Sequence, residues 1–354
     1  MSATFTLAVD AMGGDHAPDI VVAGLDIAAE RHPGARFLLV GDEPRLAPLL
    51  SRYRRAARLC TVRHAPDVIG NDMKPTAALR SRNASMRVAI DAVAAGEAEG
   101  VVSAGNTGAL LALAKIVIKT LPGISRPAMA GITPSARGDV VMLDLGANVA
   151  CDARNLVEFA VMGDVFARAV LGLTAPSIGL LNVGSEEQKG DDRVRQAAEV
   201  LRASPIAAQF AGFVEGHDIT AGTTDVIVTD GFTGNVALKT AEGAAKLVGE
   251  LLRQVFRSGV LSRIGYVFAR GGLERLREWL DPRRYNGAVM LGLNGVVVKS
   301  HGGTDAEGFA HAMDVAMDMV VHRFNEHIRE GLARVVGPMA VASAPNGSAV
   351  APAG

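Results

Sequence analysis

The sequence is poor in aromatic residues and in cysteine, and its charges nearly cancel. Aromatic side chains make up 4% of the 354 residues, and the formal net charge is -1. A balanced charge produces no overall positive field, so we expect no nucleic-acid partner. The two cysteines, Cys60 and Cys151, form neither a CxxC pair nor a Cys/His cluster. Their placement argues against a disulfide framework and against a zinc site.

Long uncharged segments and the glycine motifs of common nucleotide sites are also missing. No apolar run is long enough to cross a bilayer, and the first strand pattern begins at Phe5, which leaves no room for a leader peptide. Neither GxGxxG nor GxxxxGK[ST] occurs, which disfavours nicotinamide and Walker-type sites. We therefore expect a cytoplasmic protein with no bound cofactor and no required metal.

Small and aliphatic residues are abundant, with 40 glycines and 49% hydrophobic residues. Short apolar runs typical of buried strands alternate with segments of helical periodicity. This alternation predicts a doubly wound α/β/α sheet of Rossmann type, mostly parallel, with ligands at the carboxyl ends of the strands. We expect one domain over residues 1–336. The remainder, 337–354, is rich in Pro, Ala, Ser and Gly and is predicted to be disordered.

The periodicity also predicts the extent of several elements. We expect single helices over residues 43–59 and 74–95, and one strand over residues 288–299. A further helix is predicted to begin at Asn235.

Five polar turns follow apolar strand patterns. They are DAMGGDH (10–16), SAGNTG (103–108), LDLGAN (143–148), NVGSEEQKG (182–190) and TDGFTGN (229–235). Each combines small residues, which let the backbone approach a ligand, with polar side chains. A single glycine turn is more simply explained as turn chemistry. Because there are five, we expect them to lie at one end of the sheet and to share a site.

Two residues in these turns are the strongest catalytic candidates. Lys189 lies in a loop beyond a strand, where its ammonium group can hold a phosphate oxygen or can simply be solvated. Asn235 lies at a predicted helix start, where its amide can donate to an oxyanion or merely cap the helix. We interpret His16 as a positional residue, and Cys151 as inert because no partner base can be named.

The segment from Leu251 to Arg284 differs from the rest of the chain. It carries three apolar stripes with arginines among them and the only tryptophan. This pattern suits a protruding amphipathic helical hairpin that lies on an anionic membrane or receives an acidic carrier protein. Packing within a dimer is the alternative, and both can hold. The predicted contact residues are Val260, Leu261, Arg263, Ile264, Arg270 and Trp279.

Taken together and in order, these motifs resemble the phosphate acyltransferases of bacterial phospholipid synthesis. The resemblance is carried by DAMGGDHAP, SAGNTGAL, LDLGAN, GLLNVGSEEQKG and TDGFTGNVALKTAEG, and it runs from Asp10 to Asp305. It implies the reversible formation of acyl phosphate from long-chain acyl-acyl carrier protein and inorganic phosphate, for later glycerol-3-phosphate acylation.

The resemblance has further implications for fold and partners. It implies a fold like those of phosphotransacetylases and isocitrate-type dehydrogenases, and a homodimer. It also implies loose association with the inner face of the membrane and contact with the downstream glycerol-3-phosphate acyltransferase.

The resemblance assigns catalysis to Lys189 and Asn235. It assigns phosphate or substrate binding to Asp10, Gly13, Gly14, His16, Gly105, Asn106, Thr107, Gly108, Asn148, Asp230, Gly231, Thr233 and Gly234. One position departs from the family pattern GANVD, because Ala150 stands where the pattern has aspartate. Either a carboxylate is not essential at that position or Asp152 takes its part.

Two other functions remain open at this point. The first is a phosphotransacetylase-type enzyme that uses acyl-coenzyme A, against which the arginine-rich hairpin argues. The second is a non-catalytic protein that binds an acyl carrier or a membrane, which the intact motifs around Lys189 and Asn235 disfavour.

Overall fold

The computed structural model describes residues 5–279, 281 and 283–335, except for the side chains of 277–279. The predicted disordered tail, 337–354, lies outside these residues and stays a prediction, as does the single domain.

The strands are β1 Thr6–Asp10, β2 Arg36–Gly41, β3 Cys60–His64, β4 Gly100–Ser103, β5 Ala128–Ser135, β6 Gly138–Leu143, β7 Ile178–Leu181, β8 Phe210–Val214, β9 Val226–Val228, β10 Ala288–Leu291 and β11 Val296–Lys299. The helices are α1 Asp19–Arg31, α2 Glu43–Leu50, α3 Arg54–Leu59, α4 Pro75–Ala78, α5 Ser85–Ala94, α6 Thr107–Val117, α7 Ala153–Leu171, α8 Asp192–Arg202, α9 Gly216–Ala221, α10 Gly231–Arg257, α11 Val260–Trp279, α12 Ala306–Val321 and α13 Phe324–Val335.

The strands form one sheet whose two faces are both covered by helices. In β1, Leu7 and Val9 point into a core that includes residues of α1, α7 and α12, whereas Ala8 points into a second core formed with α5 and α6. Such strands consist of consecutive buried aliphatic residues because neither face meets water. The predicted α/β class, with helices on both sides of the sheet, is confirmed.

The sheet is mixed, and most of its neighbouring strand pairs are parallel, as predicted. Its order is β3-β2-β1-β4-β11-β10-β5-β6-β9-β7-β8. The strands from β3 to β11 are parallel to one another, and so are those from β6 to β8. Between these blocks, β10 and β5 pair antiparallel with both of their neighbours. The two blocks therefore run in opposite directions, and the prediction that all five turns leave the same end of one parallel sheet is wrong.

Several predicted element bounds are also wrong. The predicted strand over 288–299 is a hairpin of β10 and β11, which reverses at Gly292, where φ is +85°. The predicted helices over 43–59 and 74–95 are each broken into two. Helix α10 begins at Gly231, four residues before the predicted start at Asn235.

The predicted hairpin is present but longer than expected. It is formed by α10 and α11, whose Phe256 and Tyr266 rings meet edge to face with centroids 5.6 Å apart. Large apolar side chains along both helices are exposed, among them Leu261 at 84%. None of the described helices is both long enough and apolar enough to span a bilayer.

Candidate active site

The carboxyl ends of β6, β9 and β7 bring three of the predicted turns together, because these strands are neighbours in that order. Asp144, which directly follows β6, is fully buried among them. Its carboxylate accepts from the backbone N–H groups of Met129, Gly146, Ala147 and Asn148 and from the Asn148 side chain, at 2.7–3.1 Å. Burial raises the pKa of Asp144, and these donors oppose that rise. We call Asp144, Asn148, Asp230, Gly231, Gly234 and Asn235 the Asp144 cluster.

Two glycines let the first turn of α10 pack directly on the LDLGAN turn. The N–H of Gly231 donates to the carbonyl of Asn148 at 2.8 Å, and a β-carbon on Gly231 would lie 2.7 Å from that oxygen. A β-carbon on Gly234 would collide with the carbonyl oxygen of Asp144. A larger residue at either position must therefore displace the helix.

At the start of α10, one backbone N–H group bonds to none of the residues that the structure describes. Asp230 is the N-cap, and its carboxylate accepts from the Thr233 N–H at 2.9 Å and from the Thr233 hydroxyl at 3.1 Å. With Gly231 bonded to Asn148, the N–H of Phe232 is the first-turn donor that forms no hydrogen bond with the described residues. This donor lies at the positive end of a 27-residue helix, where an anion is stabilised.

The three asparagines of the predicted site differ in how their side-chain amides are used. The Asn148 amide donates to the carbonyl of Pro127 at 2.7 Å. The Asn106 amide donates to the carbonyl of Asn71 at 2.8 Å, and its oxygen caps α6. Asn235 is exposed and forms no side-chain hydrogen bond within the described part of the chain. Its amide is therefore available to a ligand.

Asn235 is the fifth residue of α10, so the alternative that it caps the helix is wrong. It lies against the LDLGAN turn, where a β-carbon built on Gly146 would be 3.8 Å from its Oδ1. Gly146 has a φ of +133°, which an L side chain rarely adopts. The absence of a side chain at 146 leaves the Asn235 amide open on that side.

Lys189 lies in the loop between β7 and α8. The Asn182 amide fixes this loop by donating to the carbonyls of Gly184 and Lys189, both at 3.1 Å. The side chain of Lys189 is 52% exposed, and its Nζ is 4.0 Å from Glu186 Oε1. An exposed pair at that distance contributes little, so the ammonium group is available to an anion.

Arg193 was missed by sequence reasoning, although it joins the three turns. Its guanidinium donates to Asp191 Oδ2 at 2.7 Å, to Asp230 Oδ2 at 3.1 Å and to the carbonyl of Cys151 at 3.2 Å. The hydrogen bond to Asp191 raises the pKa of Arg193 further. In the sequence, Arg193 looks like any arginine in the first turn of a polar helix.

Cys151 lies beside this cluster with a neutral thiol. Burial, reinforced by Asp144 and Asp230, raises its pKa to about 11, and burial alone raises that of Cys60 to about 11. Since the thiolate is the reactive form, we expect both thiols at pH 8 to react with iodoacetamide about a hundredfold more slowly in the native protein than in urea. Mass spectrometry of the alkylated chain measures this. Rapid native alkylation of Cys151 that abolishes activity would instead identify a nucleophile.

The other two predicted turns meet at the carboxyl ends of β1 and β4. Asp10 is buried and accepts from the hydroxyls of Ser85 and Ser103, both at 2.6 Å. Burial raises its pKa, and these hydroxyls oppose the rise. A β-carbon on Gly13 would lie 2.7 Å from the N of Gly105, so the two turns touch. We call Asp10, Gly13, Ser85, Ser103, Gly105 and Lys299 the Asp10 cluster.

Lys299 is a second residue that the sequence did not reveal. It ends β11, beside β4, and its Nζ donates to the carbonyls of Ala104, at 3.2 Å, and Ser300. Burial lowers its pKa to about 8, against the attraction of Asp10 and Asp15. The sequence feature that marks Lys299 is its position at the end of an otherwise apolar strand.

The remaining residues of these turns are positioned as follows. Thr107 and Gly108 form the exposed first turn of α6, and their N–H groups form no hydrogen bond within the described residues. Gly14, with φ of +110°, packs on Ala104. His16 is exposed, and its carbonyl accepts from Ile20 at the start of α1. Within the described residues, no hydrogen bond or ion pair links these turns to the Asp144 cluster.

The predicted hairpin contact residues lie on α11. Val260, Leu261 and Ile264 are exposed, as are Arg263 and Arg270, and the Arg270 Nε donates to Glu274 at 2.7 Å. The side chain of Trp279 lies outside the described part of the structure. The roles of these residues stay predictions.

Comparison with known proteins agrees with this architecture. The family model described as "Fatty acid synthesis protein" matches residues 5–327. A phosphate acyltransferase of Granulibacter bethesdensis is 75% identical over 94% of this chain and 90% of its own length. One of Gluconobacter oxydans is 68% identical over 97% of this chain and 95% of its own length.

Solved structures support the predicted fold. A phosphotransacetylase from Streptococcus pyogenes aligns with a TM-score of 0.60 and 18% identity, over 90% of this chain and 94% of its own. A branched-chain phosphotransacylase from Enterococcus faecalis aligns with a TM-score of 0.53 and 16% identity, over 90% and 99%. At these identities the likeness concerns the fold alone, and it confirms the predicted likeness to phosphotransacetylases. Relatives at up to 75% identity over nearly the whole chain show that it belongs to the phosphate acyltransferase family.

Proposed function

We propose that this protein forms acyl phosphate from long-chain acyl-acyl carrier protein and inorganic phosphate, for use in glycerol-3-phosphate acylation. Family membership supports acyl transfer with phosphate. The observation that carries the residue assignment is the start of α10. There, the Asn235 amide and the Phe232 N–H, neither of which bonds to a described residue, lie about one turn apart. Their helix follows β9, which is the neighbour of β7, and β7 leads into the Lys189 loop.

The proposed reaction needs no strong base and no covalent enzyme intermediate. An oxygen of hydrogen phosphate attacks the thioester carbonyl carbon, whose oxygen becomes negative. The C–S bond then breaks, the thiolate takes the proton that the phosphate loses, and the products are acyl phosphate and free thiol. The main obstacle is bringing a dianion to a carbonyl that itself becomes negative.

The charges of the Asp144 cluster suit this task. Its two carboxylates, Asp144 and Asp230, are occupied by N–H donors and by Arg193. Lys189 and the Phe232 N–H therefore remain to hold the phosphate. We assign the Asn235 amide as the donor to the oxyanion, a contact that strengthens only as charge develops.

We assign the Asp10 cluster no role in the attack of phosphate on the thioester. The phosphate- or substrate-binding role of Asp10, Gly13, Gly14, His16, Gly105, Asn106, Thr107 and Gly108 stays a prediction. The N–H groups of Thr107 and Gly108 at the start of α6, which bond to no residue in the described part of the chain, support this role because such groups favour an anion.

One assay tests the proposed activity against its alternatives. Purified protein is given palmitoyl-acyl carrier protein or palmitoyl-coenzyme A, with and without inorganic phosphate, and released thiol is measured. Phosphate-dependent release that favours the carrier substrate is the expected result. Preference for the coenzyme A thioester would replace the substrate assignment, and no release from either would overturn the activity.

We also propose that the hairpin of α10 and α11 holds the protein on the inner face of the membrane and contacts the acyl carrier or a second copy of the chain. The support is a row of exposed apolar side chains, including Val260, Leu261, Ile264 and Phe268, with exposed arginines close by. A water-exposed surface of this kind is costly unless something covers it, and arginine suits anionic lipid.

Introducing two charges at the end of the hairpin tests membrane contact. In flotation with anionic liposomes, we expect the Val260→Asp, Leu261→Asp variant to lose binding by about tenfold or more, because apolar burial is lost. A Ser51→Asp, Ala57→Asp variant adds the same charge at exposed positions on or next to α2 and α3 and should float like the wild type. Unchanged flotation of the hairpin variant would contradict membrane contact.

A further inference from the structure

Arg193 hydrogen-bonds to three chain segments that belong to, or directly adjoin, the three turns of the proposed site. Its acceptors belong to three different segments: Asp191 in the β7–α8 loop, Cys151 in the segment after β6, and Asp230 in the turn between β9 and α10. A guanidinium carries its donors on three separate nitrogens in one rigid plane, so it reaches acceptors that lie farther apart than those around the single nitrogen of an ammonium group.

Each acidic partner of Arg193 fixes one element of the proposed machinery. Asp230 caps α10, so its position sets where the Phe232 N–H and the Asn235 amide lie. Asp191 caps α8, accepting from the Val194 N–H at 3.0 Å, and it follows Lys189 by two residues. The pair of bonds therefore ties the Lys189 loop to the start of α10.

The third bond of Arg193 anchors this link to the buried part of the cluster. Cys151 carries the accepting carbonyl, and its Sγ lies 3.8 Å from the carbonyl of Asn148, the same oxygen that receives the Gly231 N–H. Arg193 thus contacts both Asp230, the N-cap of α10, and the backbone at Cys151, which lies next to the Asn148 carbonyl on which α10 packs.

We propose that Arg193 is a positioning residue that sets the distance between the phosphate held by Lys189 and the oxyanion donor Asn235. The inference rests on the function proposed above. Arg193 acts through its partners and not on the substrate. Removing it leaves the Lys189 and Asn235 side chains present but unaligned, and misplacement by about 1 Å can cost on the order of a hundredfold in rate.

The test compares Arg193→Lys and Arg193→Ala with the wild type in the phosphate-dependent assay. Both variants should lose about 10- to 100-fold in kcat while KM for phosphate changes much less. Guanidinium ion at low millimolar concentration should restore part of the activity of Arg193→Ala and none of Arg193→Lys. The matched control is Arg154→Lys, which also replaces a guanidinium bonded to a carboxylate and a carbonyl but lies in α7, and it should keep wild-type kcat.

A double variant separates positioning from loss of folding. Asp230→Asn keeps a good helix cap but weakens the bond to Arg193. If the two residues act as one link, Arg193→Ala with Asp230→Asn should be no slower than Arg193→Ala alone.

Wild-type kcat in both Arg193 variants would overturn the proposal. So would additive losses, or a loss that follows a lowered melting temperature and is not rescued. If the wild type itself shows no phosphate-dependent release, it is the proposed function that fails.

Discussion

The Asn235→Ala variant is expected to lose about a hundredfold or more in kcat, because removal of one oxyanion donor costs roughly 3 kcal/mol of transition-state stabilisation. The side chain is exposed and forms no hydrogen bond within the described residues, so its removal should leave the stability of the fold nearly unchanged. KM for both substrates should change little, since the contact forms with the charge that develops during the reaction.

The measurement is steady-state release of carrier thiol by variants whose melting temperatures match that of the wild type. Asn83→Ala is the matched control, because Asn83 is also exposed and lies outside the proposed site, and its kcat should stay within about twofold of wild type. Normal turnover by Asn235→Ala would remove Asn235 from the mechanism. An Asn235→Ala variant that unfolds early would show instead that the residue is structural.

The second large effect is expected for Gly234→Ala. The added β-carbon meets the carbonyl oxygen of Asp144, which is backbone and cannot move alone. The first turn of α10 must shift, which we expect to lower the free energy of unfolding by about 1–3 kcal/mol. The Asn235 amide would move with it, which we expect to lower kcat by about tenfold or more.

Gly243→Ala is the matched control on the same helix. Apart from its chain neighbours and the backbone of its own helix, no described atom lies within 4 Å of a β-carbon built there. Replacing glycine by alanine inside a helix stabilises it by roughly 0.5–1 kcal/mol. In thermal unfolding, Gly243→Ala should therefore be more stable than the wild type and Gly234→Ala less stable. Only Gly234→Ala should lose kcat. Equal behaviour of the two variants would contradict the close packing of α10 on Asp144.

Much of the fold could be predicted because buried strands of aliphatic residues leave a clear pattern. The runs around Leu7–Val9 and Val226–Val228 were recognised as strands for this reason. What the pattern does not contain is strand direction. The apolar segment Ala288–Lys299 reads as one strand until Gly292 is seen to reverse the chain, and β5, unrecognised in the sequence, supplies the second antiparallel partner. Because β10 and β5 each pair antiparallel with both neighbours, the strands from β6 to β8 run in the opposite direction to those from β3 to β11.

The candidate site was predictable where a turn carried its own polar residues, as Lys189 and Asn235 do. It was not predictable where the role of a residue depends on contacts between distant segments. Arg193 lies 42 residues from Cys151 and 37 from Asp230, so nothing local marks it. The helix start predicted at Asn235 is wrong, because Asp230, five residues earlier, is the N-cap, and this also excludes the alternative that Asn235 caps the helix.

The position of acyl phosphate in a structure of the complex would decide whether Lys189 and Asn235 act together. We expect the phosphoryl group to lie within hydrogen-bonding distance of Lys189 Nζ and the Phe232 N–H, with the acyl carbonyl oxygen facing the Asn235 amide. A phosphoryl group bound instead at the first turn of α6, with Lys189 and Asn235 both out of reach of the ligand, would contradict that expectation.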